Sequence, residues 1–151
     1  MPDHRENILA NLVTTLQGIT TAAGYSVTVA TAERGVRLWN QVPEGERPYL
    51  GILPGIGRTV QIAGGQIKVA VPITIVGYLA LASDKTEAER GATLNAFIVD
   101  VKKALLVDPS RGGNAVATSP VQDGNDEGAE VRPGMIEVEF ECAYWHSRTE
   151  F

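Results

Sequence analysis

This chain is poor in the side chains that most often carry chemistry. It has one cysteine, Cys142, and two histidines, His4 and His146, near opposite ends of 151 residues. A single cysteine excludes an intrachain disulfide and any multi-cysteine zinc site. No third histidine completes a histidine metal site, and no serine lies in a Gly-x-Ser-x-Gly elbow. No apolar run approaches the roughly 20 residues that a membrane helix needs. The opening Met-Pro-Asp-His-Arg-Glu-Asn lacks the basic-then-apolar order of a secretion signal, so the expected site of synthesis and residence is the cytosol. A basic excess is missing too. The formal net charge of -5 has the wrong sign for a domain that holds nucleic acid by neutralising phosphates.

Two stretches approach known ligand loops and fail them. Asp123-Gly124-Asn125-Asp126-Glu127-Gly128 starts like a calcium loop, but the twelfth position, which should supply a bidentate glutamate, is Gly134. The flanking helices are also missing, so this is read as an acidic loop. Pro54-Gly55-Ile56-Gly57-Arg58 lacks the third glycine and the lysine of phosphate loops, and it leads into a strand. It is read as a turn. No residue is therefore assigned to catalysis, metal binding or a cofactor.

What the chain does have is patterning. Asp3, with Glu6 three residues on, caps a first helix whose apolar stripe is Ile8, Leu9, Leu12, Val13, Leu16 and Ile19, stopped by Gly24. Tyr25 to Ala30 reads as a strand with Tyr25, Val27 and Val29 on one side. Residues 31–48 show no period and read as a loop excursion. Tyr49 to Leu53 is a short strand, and Arg58 to Ala63 pairs with a long arm from Gln66 through a turn at Gly64-Gly65. Pro72 in that arm cannot donate a ladder hydrogen bond, which predicts a bulge or an edge there.

Asp84 and Glu87 repeat the helix-start pattern. Leu94, Phe97, Ile98, Val101 and Leu105 form the stripe of a second helix that ends near Val107, before Pro109 and Gly112-Gly113. Ala115 to Val121 reads as a strand, 122–129 as a polar loop and Val131 to Trp145 as the last strand. There Ile136, Val138, Phe140, Cys142 and Tyr144 alternate with Glu137, Glu139 and Glu141, giving one buried and one polar face. Cys142 on the apolar face reads as a small buried hydrophobe. The expected architecture is a single α+β domain spanning 1–151, a mainly antiparallel sheet with two amphipathic helices packed on it.

Two groups of side chains remain as candidates for contacts. Arg34, Arg37, Trp39, Arg47 and Arg58 cluster in and beside the excursion, and these residue types are enriched where proteins meet proteins. Trp39 reads either as packed under its own loop or as an anchor for a partner. Glu137, Glu139 and Glu141 lie roughly 6 to 7 Å apart along one strand face. They read either as a solvated face paired with basic neighbours, or as an acidic stripe turned to a lumen or a partner subunit.

The order of these segments resembles a known family. Asn7-Ile8-Leu9-Ala10, Tyr25-Ser26-Val27-Thr28-Val29 and Arg47-Pro48-Tyr49-Leu50-Gly51-Ile52 are followed by the helix Ile98 to Leu105. The Asp108-Pro109 stop and an alternating strand reaching Tyr144 complete the series. Together they resemble the tail terminator (tail-completion) proteins of long-tailed bacteriophages, over nearly the whole chain but in pattern and order, with no invariant motif. The resemblance implies a non-enzymatic structural protein of the virion tail, assembled in the host cytoplasm. It implies a homohexameric ring that caps the tail tube, ends polymerisation and joins the tail to the head connector. DNA would pass through the ring without specific binding, and no membrane would be involved. A reading from another class is a small soluble α+β ligand-binding domain or enzyme with a site built from scattered residues. A pocket of convergent polar groups would favour that reading.

Overall fold

The computed structural model describes residues 3–81, 85–126 and 134–148. Two helices, α1 (His4–Gln17) and α2 (Glu87–Val107), pack on one face of a sheet of six strands. The strands are β1 (Thr31–Arg34), β2 (Tyr49–Pro54), β3 (Arg58–Ala63), β4 (Gln66–Leu79), β5 (Ala117–Asn125) and β6 (Gly134–Ser147). The order across the sheet is β1-β2-β4-β6-β5, with β3 beside the first half of β4. Only β1 and β2 run parallel, so the α+β, mainly antiparallel architecture expected from the sequence is the one observed.

The core lies between the helices and the sheet because each element brings one apolar stripe to it. From α1 come Ile8, Leu9, Leu12 and Leu16, and from α2 Leu94, Phe97, Ile98, Val101 and Leu105. These meet Val71, Ile73 and Ile75 of β4 and Ile136, Val138, Phe140 and Cys142 of β6. The predicted alternation of β6 is thus the helix-facing row, and Cys142 is a buried core side chain whose thiol burial pushes up. Asp3 caps α1 by accepting from the Glu6 amide at 3.0 Å.

The central β4–β6 ladder runs unbroken from Gln66↔Ser147 to Leu79↔Gly134. Pro72 sits within it without loss. On its other side β2 ends at Pro54↔Ile73 and β3 begins at Arg58↔Ala70, so the missing N–H falls in the gap between two strands. The Pro72 carbonyl still accepts from the Gly55 amide at 2.8 Å. The local edge predicted from the proline is therefore present, as a break in its neighbour.

Several boundaries differ from the sequence reading. Tyr25 to Ala30 is not a strand, because its amides bond elsewhere: Ser26 to the Asp100 carboxylate at 3.0 Å, Val29 to the Ile19 carbonyl and Ala30 to the Pro48 carbonyl. Its alternation nonetheless reports burial, since Tyr25, Val27 and Val29 all pack on the core. The strand comes instead at Thr31–Arg34, inside the stretch read as loop. The first helix stops at Gln17, and Gly24 closes a separate 3-10 turn at φ +94°. Thr86 caps α2, accepting from the Glu89 amide at 3.1 Å, while Asp84 lies outside the described residues. Residues 122–125 continue β5 by pairing with Glu139 to Ile136, and 127–133 lie outside the described residues.

Candidate functional site

The helices cover one face of the sheet, and the other face carries the groups singled out in the sequence. Alternation places Glu137, Glu139 and Glu141 there, beside Val76, Thr74 and Pro72 of β4 in register. Glu141 is paired with Arg58 of β3 at 3.2 Å, so one predicted contact arginine meets the predicted acidic stripe within the chain. Glu139 accepts from the Gln122 side chain at 2.6 Å. Next to them, at the β5 edge, is a groove of about 310 Å³ lined by Gln122, Gly124, Asp126, Met135, Glu137 and Glu139. Gly124 adds no side chain there, which leaves the hollow.

The excursion at residues 35–48 folds back over the same face on its β2 side, and Met135 lies between it and the groove. Val42, Tyr49 and Tyr78 form a second small core there, with Val76 and Met135 against it. Gly51 allows this approach: a Cβ on it would stand 2.7 Å from the Gly35 carbonyl oxygen and 2.8 Å from the Tyr49 hydroxyl. Arg37 holds the loop together. Its guanidinium bonds Glu33 at 2.7 Å and Glu46 at 3.1 Å and lies 5.3 Å from the centre of the Tyr49 ring. The Tyr49 hydroxyl donates to Glu33 at 2.8 Å, and the Tyr78 hydroxyl donates to the Arg37 carbonyl at 2.8 Å. Partial burial alone would raise Glu33, but the hydrogen bonds from Tyr49 and Arg37 outweigh it and hold the carboxyl below its usual range. Burial pushes the Tyr49 hydroxyl up.

The remaining candidates are engaged within the chain as well. Arg34 bonds Glu6 of α1 at 2.6 Å, and Arg47 donates to the carbonyls of Val42 at 2.8 Å and Trp39 at 3.3 Å. Trp39 is 38% exposed beside a more exposed Leu38, so it is half packed on its loop and half presented outward. The arginines thus shape the surface, and Leu38 and Trp39 project from it. Arg37→Ala is expected to lower the urea unfolding midpoint of the loop, because it removes the ion pairs to Glu33 and Glu46 that hold the excursion together. The loop should loosen before the sheet does. Trp emission measured against far-UV circular dichroism in urea would show this, and coincident, wild-type-like transitions would refute it.

The fold also joins residues that the sequence left apart. His4 and His146, from opposite chain ends, flank Tyr144, each ring centroid 6.2 Å from the tyrosine's. Arg111, unremarked in the sequence except as part of a helix stop, is fully buried at φ +50° under the end of α2. It donates to the carbonyls of Leu105 and Asp108. The only sequence signal for it was an arginine between a helix terminus and two glycines. Among the described residues no group of three His, Cys, Asp or Glu is placed to hold a metal, and no helix is long and apolar enough to cross a membrane.

No protein-family model matches this sequence, and none of the curated proteins matches it either.

Proposed function

We propose that this chain is a structural subunit of the tail-terminator type, a protein that closes on itself as a ring at the end of a phage tail tube. In this reading the ring is six-fold, ends tube polymerisation and presents a surface to the head connector. The observation that supports it most is the asymmetry of the sheet. Helices cover one face, the other carries the acidic row and is covered only where the 35–48 excursion packs on it, and the sheet ends in strands without an outer partner among the described residues: β1 and β3 on one side, β5 on the other. Exposed sheet edges are sites at which a second chain can add. Contacts between different patches on identical subunits give a ring when the rotation closes.

With edges joined, one face of every sheet turns inward and the helix layer turns outward. We assign the inward side to the open face with Glu137, Glu139 and Glu141. A negative wall repels passing DNA and keeps it sliding, where phosphate contacts would hold it. The six-fold number rests on the family resemblance alone.

The test is light scattering over a wide concentration range, together with electron micrographs of the protein with and without purified tail tubes. Rings in solution or at tube ends are expected, and assembly should depend on concentration. A chain that stays monomeric or dimeric throughout and never decorates tube ends would defeat the reading.

A further inference from the structure

The sequence separates its charges along the chain. Between Glu46 and Asp84 there is no acidic residue, whereas 123–141 contains seven acids and one arginine. The sheet carries the outer strands of these two stretches, β3 and β5, to opposite sides, while Glu141 of β6 reaches across to Arg58 of β3. The basic one forms an arm of β3 and the first half of β4, and the arm is stiff because β6 pairs with β4 out to Gln66↔Ser147. Arg148 adds a clasp at its tip, with its amide donating to the Gly65 carbonyl at 2.8 Å. Every residue of β3 is exposed, including Val60 at 44% and Ile62 at 60%, beside the cations Arg58 and Lys68.

The described part of the acidic stretch that lies in β5, with Glu137 and Glu139 of β6, lies toward the far side. There β5 is the last strand among the described residues, with Val121 55% exposed on it, and the groove with Asp126, Glu137 and Glu139 opens beside it. Each edge strand carries a bulge with a valine at it, between Thr59 and Gln61 in β3 and between Pro120 and Gln122 in β5. Bulged edges discourage indiscriminate strand pairing. Charge then selects the pairing that is favourable, basic edge against acidic edge, and opposes either edge meeting its own kind.

We propose that the β3–β4 arm of one copy of this chain docks on the β5 edge and acidic groove of the next. The inference rests on the ring reading and gives its joint: Lys68, and Arg58 shared with its own Glu141, face Glu137 and Glu139 of the neighbour, and Val60 and Ile62 cover Val121. Because donor and acceptor lie on opposite sides of one sheet, the contact repeats head to tail and keeps all open faces on one side.

Two charge-reversed proteins test it by mixing. Arg58→Glu with Lys68→Glu reverses the arm, and Glu137→Lys with Glu139→Lys reverses the groove. All four sites are on the surface side of the sheet, and thermal melts verify the fold of each protein. In sedimentation at low salt, each reversed protein alone should associate at least about ten-fold more weakly than wild type. An equimolar mixture should regain association, since basic arms then meet acidic grooves and acidic arms meet basic grooves. Ile62→Lys serves where a reversed protein does not fold, and it should weaken association as well. Reversed proteins that associate like wild type, or a mixture no better than its components, would overturn the joint while the ring seen in micrographs stands. A wild-type chain monomeric at every concentration overturns the joint too, and decoration of tube ends by that same chain would leave the terminator reading in place.

Discussion

Phe140→Ala is expected to lower stability by about 3–5 kcal/mol, the range for removing a fully buried aromatic ring from a core. Phe140 is wholly buried in the middle of β6, paired with Ile73 on one side and Pro120 on the other, and roofed by the helix layer. Its neighbour in sequence, Glu139, points to the open face and accepts one side-chain hydrogen bond from Gln122. Glu139→Ala should therefore change stability by less than about 1 kcal/mol. In a domain of this size each kcal/mol corresponds to roughly 2–4 °C of melting temperature, so the two variants should separate by several degrees at least. Thermal melts of both proteins check the assignment of the two faces. Equal losses would mean that the helix-facing and open rows are not what the register implies.

Arg111→Ala should cost about 3 kcal/mol, through the cavity left by a large buried side chain and two α2-end carbonyls left without their donor. The guanidinium is fully buried, and one of its nitrogens serves both Leu105 and Asp108, while Nε and Nη1 have no hydrogen-bond partner among the described residues. Burial lowers its affinity for the proton, and the carbonyl end of the helix offsets part of the cost of a cation there. Arg111→Met separates these effects. It keeps most of the volume and removes an incompletely paired buried charge, an exchange that is often tolerated. The expected order of stability is wild type, Met, then Ala, read from urea unfolding midpoints. A Met variant as unstable as the Ala variant would mean that the cation itself, not the filled volume, holds the end of α2.

The elements legible in the sequence were those whose burial is decided along the chain. The row from Ile136 to Tyr144 repeats every second residue because one side of a strand meets a core, and the stripe from Leu94 to Leu105 recurs as a helix face does. Both were where the pattern put them. The Gly64-Gly65 turn and the local edge at Pro72 were legible for the same reason, since backbone chemistry at one position constrains its own neighbourhood. The candidate surface was legible in composition only: the acids and arginines were named, but their partners were not.

What the tertiary structure alone decided are matters of distant pairing. Tyr25, Val27 and Val29 face the core as their alternation said, yet Asp100 and Ile19 take the backbone donors that a strand would need. Thr31–Arg34 becomes a strand because β2 lies parallel beside it, and 122–125 extends β5 because β6 offers a ladder, though neither segment has a hydrophobic period. Arg37, Glu33 and Glu46 become a hub only when Tyr49 and Tyr78 are stacked beneath the loop. Local periodicity records which side of a segment is buried. It does not record which far-off group will satisfy a hydrogen bond or neutralise a charge, and those partners set where strands begin, where loops lie and which edges stay open.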